Sequence, residues 1–289
     1  MEYQLTEEQQ MVIDSVAGTL ARTGAGGWSA LEALGVAELE PGVDMALVLE
    51  EAGAVALDGP VIDNLLVKNG LSVDGVSLKG TVACAPDGAT IAWADRADWL
   101  LLWHQGAIHK VAPASTELSS LETVDPARTL ARVEWTPGAD TLLSDDPDTV
   151  SAAFDRGALG AAAMLVGLGR AMVALAVEYA KTRQQFGKPI GAQQAVQHHL
   201  VNAHLAVELS RPLVHRAAWS PDPVHVSMAK AFASDAACKA AELSLQVHGA
   251  IGYSYEYELH GLMKRAWALA ASWGDAAWHR ERVARARLQ

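Results

Sequence analysis

The chain has 289 residues, 51% apolar and only 19% charged, so it can bury a sizeable core and is too apolar for a disordered polypeptide. Its net charge of −12 is lopsided: residues 1–147 carry 7 basic and 23 acidic side chains (−16), and residues 148–289 carry 15 and 11 (+4). An acidic first half argues against nucleic acid as partner of the whole chain, while a basic second half fits an anionic small ligand or an acidic protein surface. Two cysteines, Cys84 and Cys238, make no disulfide framework, which places the chain in a reducing, cytoplasmic compartment. The start, MEYQLTEEQQ, is acidic and polar, unlike a signal peptide.

In chain order, Thr6-Glu7-Glu8-Gln9 reads as a helix cap, with Met11, Val12, Ile13, Val16 and Leu20 on or near one face. Gly24 to Gly27 breaks that helix. Trp28 to Leu34 forms a second, a third runs from about Val43 to Asp58, and a further helical piece spans Val61 to Lys68. Residues 1–72 are thus a small helical domain. From 73 to 147 the texture changes to short runs punctuated by Gly, Pro and Asp: Thr81 to Cys84, Thr90 to Trp93, Trp99 to Trp103, Ala107 to Val111 and Ala131 to Trp135. These predict strands of a small β unit, with Trp93, Trp99, Trp103 and Trp135 in its core.

Residues 148–289 read as helical in four segments, about 148–183, 192–219, 223–248 and 256–286, separated by Gly-Pro, Pro221/Pro223 and Gly249–Gly252. Four long helices with short connections predict an antiparallel four-helix bundle. The fold class is therefore mainly α with a small β middle domain. The first bundle helix is rich in Gly and Ala and nearly all apolar from Gly157 to Val177, with Arg170 in its middle. It reads as a core helix that neighbours approach closely rather than a membrane span. The arginines of the C-terminal tail read as a solvated helix end.

Two stretches carry chemistry. In EYAKTRQQFGKPIGAQQ a helix ends near Arg183, Gly187 suits the C′ position of a Schellman stop, and Pro189 cannot continue the helix. The corner can hold a diphosphate by bidentate arginine contacts with Phe186 against a ring, or it is an ordinary helix stop. In Gln246-Val247-His248-Gly249-Ala250-Ile251-Gly252-Tyr253, Gly249 and Gly252 remove side chains at a helix end, and Gln246 and His248 offer donors beside the opening. The alternative is a glycine-rich turn. His198, His199 and His204 crowd one helix with no HExxH or Cys pair, so no metal is expected. There is no Gly-x-Ser-x-Gly elbow.

Together, RxxFGxPI and QVHGxxGY resemble the acyl-CoA dehydrogenase family, flavoproteins that desaturate acyl-CoA thioesters. The order of helical, β and bundle regions and the first helices resemble it too. The likeness is strong over 155–265 and weak over 70–145. It implies FAD as cofactor, contacted from a neighbouring subunit by Arg183, Phe186, Gly187 and Gln194, with Gln185 and Gln193 nearby, and by Gln246, Val247 and Gly249. It also implies an acyl-CoA substrate.

The departures are as informative. The middle-domain stretches with which the family cradles the flavin ring are not recognisable here. The family's base is a glutamate that removes the α-proton while hydride leaves Cβ. Its two alternative positions fall on Trp273 and Gly157. Asp275 and Asp155 lie two residues away, but two residues turn a helix by roughly 200°. The resemblance thus implies a short, non-catalytic subunit of an α2β2 assembly, paired with a homologous full-length subunit that brings the glutamate. Such pairs are known in actinobacteria, where they often act on steroid side-chain CoA esters. A homomeric dehydrogenase using Asp155 or Asp275, or a flavin-free structural subunit, are the alternatives.

Overall fold

Residues 5–71 and 78–288 are described by the structure, a computed structural model of the chain. The expected boundary between residues 72 and 73 lies outside them. Thr6 opens α1 (Glu7–Thr23) with a capping box: its hydroxyl accepts from the Gln9 amide, and the Gln9 side chain accepts from the Thr6 N–H. Val16 and Leu20 are buried, whereas Met11 points to solvent. Helices α2 (Trp28–Ala33) and α3 (Val43–Ala54) follow. The expected helical piece after them has π register over Asp63–Lys68.

All five predicted strands are present: β1 (Val82–Ala85), β2 (Thr90–Ala92), β3 (Trp99–His104), β4 (Ala107–Val111) and β6 (Leu130–Glu134). Two more, β5 (Glu117–Ser120) and β7 (Leu142–Ser144), were not apparent in the sequence because they are short and largely exposed. One sheet has the order β1-β3-β4-β7, with β1 and β3 parallel; the other has the order β2-β6-β5. Alternation along β1 and β3 serves two cores. Ala83, Ala85, Leu100 and Leu102 face Ile91 and Val133 of the second sheet, while Val82, Cys84 and Leu101 join the apolar cluster of the helices. The tryptophans divide accordingly. Trp135 packs between the sheets, whereas Trp99 and Trp103 pack towards the helices rather than inside the β unit.

The bundle comprises α4 (Pro147–Thr182), α5 (Gln194–Trp219), α6 (Pro223–His248) and α7 (Leu259–Ala271). The predicted last helix is not continuous. It breaks at residues 272–275 and resumes as α8 (Ala276–Leu288), with Trp273 at φ 57° and Gly274 at φ 82°. Nor is its tail merely solvated, since Arg282 donates to the Asp155 carboxylate from a half-buried position. Helix α4 is long and apolar enough to cross a membrane, but 72% of its most apolar window is buried in the protein. Its Arg170 pairs with Glu51 at 2.6 Å and lies 3.7 Å from Glu50.

The glycines of α4 work as the sequence suggests. A methyl group at Gly167 would overlap the Glu50 carbonyl oxygen and lie 2.8 Å from the Ala54 amide. One at Gly53 would overlap the Met164 backbone. Gly167→Ala should therefore lower unfolding stability by about 2 kcal/mol or more in urea titrations. Gly261→Ala in α7, where the added methyl meets nothing within 4 Å, should leave it unchanged or raise it by about 0.5–1 kcal/mol.

Candidate functional site

The first motif lies where α4 meets α5. Helix α4 stops at Thr182 and Arg183 is extended. The chain then forms a tight hairpin of β8 (Gln184–Gln185) and β9 (Lys188–Pro189). Phe186 and Gly187, at φ 53° and 77°, make its two-residue turn. That backbone is the primed turn whose twist suits a hairpin, so Gly187 is not a helix C′ residue. The Ile190 amide returns to the Arg183 carbonyl at 2.8 Å. Phe186 is 92% exposed, although a bulky side chain at positive φ is strained.

The second motif is at the same end of the bundle. Val247 is buried with Ala176, Ala180, Tyr179, Ile190, Val196 and Leu200, a cluster tying the end of α6 to the hairpin exit and the start of α5. Around it Arg183, Gln185, Gln194, Gln246 and Gly249 are exposed, and Gln193 is half-buried. Gln193 caps α5 without a side-chain hydrogen bond, so the first amides of a 26-residue helix remain available. An arginine fork, a helix N-terminus and a free aromatic face fit the adenosine-diphosphate part of FAD. They form one exposed wall at the end of the bundle.

Two details differ from the sequence reading. His248 offers no free donor. It is buried, its Nδ1 donates to the Ser244 carbonyl at 2.7 Å, its Nε2 accepts from the Tyr257 hydroxyl at 3.0 Å, and its ring stacks on Tyr179 at 4.5 Å. Gly252 makes no opening either, because a Cβ there would meet Leu245 and His248 of the chain itself.

A separate cavity of about 670 Å³ lies between the β unit and the bundle. Sequence reasoning missed it, since its lining residues come from five distant segments. The Trp273 indole, which lines it, lies against Gly157 and fills the space any side chain there would need. Lys230 donates to Ser234 Oγ, to the Ala270 carbonyl and to the Gly274 carbonyl, all at 2.9–3.0 Å, and so holds the chain break in place. His279 Nε2 donates to the Trp273 carbonyl at 2.9 Å. Burial lowers Lys230 to about 7 and His279 to about 4. No carboxylate stands at either position. Asp155 is engaged by Arg282, and Asp275 caps α8 through the Trp278 amide at 2.8 Å.

The lining also includes Asp63, Cys84, Trp93, Arg128 and Arg265, with Arg128 Nη2 donating to Ser272 Oγ at 3.2 Å. Trp93 stands at the junction rather than in the β core. Its Nε1 donates to Asp58, and both guanidiniums lie 5.4–5.6 Å from its ring. Burial raises the Cys84 thiol well above its ordinary range, with Asp63 adding to the effect. Burial also raises Asp63 from 3.8 to about 7, against the opposing pull of the Cys84 amide and Arg128.

A helical bundle flanked by a small β unit is the fold of solved FAD-dependent dehydrogenases. Residues 148–288 match the acyl-CoA dehydrogenase C-terminal domain family. The acyl-CoA dehydrogenase IpdE2 of Mycobacterium tuberculosis is 31% identical over 235 residues, covering 77% of this chain and 71% of its own. A chain of the ChsE4-ChsE5 complex from Mycobacterium tuberculosis superposes with a TM-score of 0.85 at 18% identity, over 100% of this chain and 99% of that one. A chain of the Tcur3481-Tcur3483 steroid ACAD gives 0.71 at 18% identity, over 96% and 88%. This chain belongs to the acyl-CoA dehydrogenase family, whose cofactor is FAD.

The Asp63 carboxyl has a testable consequence. With a folded-state pKa above the unfolded value, the folded protein keeps a proton that the unfolded chain has released. Stability should fall as pH rises from roughly 4 to 7, by an amount on the order of 4 kcal/mol, and stay low above pH 7. Asp63→Asn keeps an acceptor for the Cys84 amide and should flatten that slope in urea unfolding across the same range.

Proposed function

We propose that this chain is the partner-dependent subunit of a heteromeric acyl-CoA dehydrogenase. It contributes Arg183, Gln185, Phe186, Gly187, Gln193, Gln194, Gln246, Val247 and Gly249 to the adenosine-diphosphate side of an FAD site. A homologous full-length subunit brings the flavin-ring cradle and the glutamate, in an α2β2 assembly. FAD supplies the hydride acceptor when bound. This chain's own residues bind and orient the anionic end of the cofactor: Arg183 and the α5 amides take the phosphates, and Phe186 covers a ring.

The observation that carries this reading is the contact between Trp273 and Gly157. Both positions to which the resemblance assigns a base meet at one point, and an indole occupies it. The homomeric alternative requires Asp155 or Asp275, and both are committed elsewhere. The exposure of the corner supports a partner, as does the likeness to chains of two-component complexes. The same likeness supports a steroid CoA ester as the substrate class.

Arg183→Ala should test the corner. In the complex co-purified with the homologous subunit, FAD affinity should fall about tenfold or more, read as flavin absorbance per complex during dilution. Unchanged flavin retention would instead favour a flavin-free structural subunit.

A further inference from the structure

The two motifs of the corner lie far apart in the chain, and three aromatic rings join them. Tyr179 stands in the last turn of α4, and its carbonyl accepts the Arg183 amide at 2.9 Å. Its ring lies on the His248 ring, with centroids 4.5 Å apart and planes 22° from parallel. His248 is the last residue of α6, next to Gly249. Tyr257, from the loop before α7, closes the array: its ring centroid is 4.9 Å from that of His248 and 6.3 Å from that of Tyr179, edge-on to the latter. The stack is thus one helical turn from Arg183 and one residue from Gly249.

Hydrogen bonds fix the imidazole in the stack. The Ser244 carbonyl can only accept, so Nδ1 carries a proton. In the neutral ring Nε2 must then accept, and the Tyr257 hydroxyl 3.0 Å away donates to it. Burial lowers the His248 pKa and so favours that neutral form. The Ser244 hydroxyl donates to the Met172 carbonyl at 3.0 Å, tying α6 to α4. An apolar side chain at position 248 would fill the same space at a lower desolvation cost. What the polar array adds is a single orientation, because every buried donor and acceptor of the ring has one partner.

We propose that Tyr179, His248 and Tyr257 are positioning residues of the FAD corner: they hold Arg183 and the Gln246–Gly249 stretch at the separation that the anionic end of the cofactor requires. The inference rests on the reading of this corner as an FAD site. His248 is buried and the two tyrosines are half-buried, so the array acts through the two motifs rather than on the ligand. An exposed corner takes no shape from a surrounding core. Its order has to come from beneath, and contacts formed in advance lower the ordering cost of binding.

The FAD dissociation constant of the complex co-purified with the homologous subunit tests this, read by flavin absorbance on dilution. Tyr179→Leu keeps an apolar residue but loses the stacked face, and should weaken FAD binding about threefold or more. Tyr179→Phe keeps the face and should restore it. Tyr257→Phe removes only the donor to Nε2 and should give a loss similar to that of Tyr179→Leu. On an Arg183→Ala background the Tyr179→Leu loss should shrink, because a misplaced arginine and a missing one are the same defect. If Tyr179→Leu does not assemble, Tyr257→Phe decides on both backgrounds. Equal losses on the two backgrounds would overturn the positioning role. So would unchanged FAD affinity in the Tyr179→Leu and Tyr257→Phe complexes while Arg183→Ala weakens it, and the FAD corner would then stand without this support. Unchanged affinity in Arg183→Ala itself would overturn the FAD corner and this inference with it.

Discussion

At Gly167 the backbone of α4 touches the backbone of α3, with no room for a methyl group beside the Glu50 carbonyl. This crossing sets the positions of the other elements. It buries the Glu50 side chain completely, and a buried carboxylate must be matched. Arg211 Nε at 2.8 Å and His215 Nε2 at 2.7 Å supply the match from α5, while Arg170 of α4 lies 3.7 Å away and pairs with Glu51. Such a network adds little net stability compared with an apolar contact, but breaking one partner is costly. Its effect is to set how α3, α4 and α5 sit against each other.

Helix α4 then carries that geometry to both candidate regions. Its N-terminal half presents Gly157 to Trp273, and its C-terminal end launches the Arg183–Gly187 hairpin. The α7–α8 break is what brings Trp273 across. A tryptophan at positive φ needs support, and Lys230 and His279 provide it by taking the carbonyls at residues 270, 273 and 274. Lys230 sits in the bundle fully buried, with its three donors satisfied. The space beside Gly157 is thus occupied by a turn that the bundle itself holds in shape.

Local chemistry made most elements legible in the sequence. The Thr6 box, the Asp222–Pro223 start of α6 and the Gly/Pro punctuation of the β unit each announce themselves within a few residues. Strands β5 and β7 did not, because exposed polar segments show no alternation. The Gln184–Pro189 hairpin was misread because Phe-Gly at a helix end looks like a Schellman stop, and only the pairing of Gln185 with Lys188 distinguishes the two. The break at residues 272–275 was hidden by helical flanks and imposed by Lys230, over forty positions away in the chain. The exposed corner at the α4–α5 junction was readable as a candidate because its residues are clustered in two short motifs. The cavity between the β unit and the bundle was not, because Asp63, Arg128, Phe154 and Trp273 meet only after folding.

The central claim is that this polypeptide builds the phosphate-facing half of a flavin pocket and leaves the reacting half to another chain. Flavin stoichiometry and turnover, measured on the chain alone and after co-expression with its homologous partner, test it most directly. The account predicts negligible FAD and no acyl-CoA oxidation for the isolated chain, and one FAD for each pair of unlike subunits in the active complex. One tightly held FAD per chain in a homo-oligomer of this protein, with acyl-CoA turnover, would contradict it.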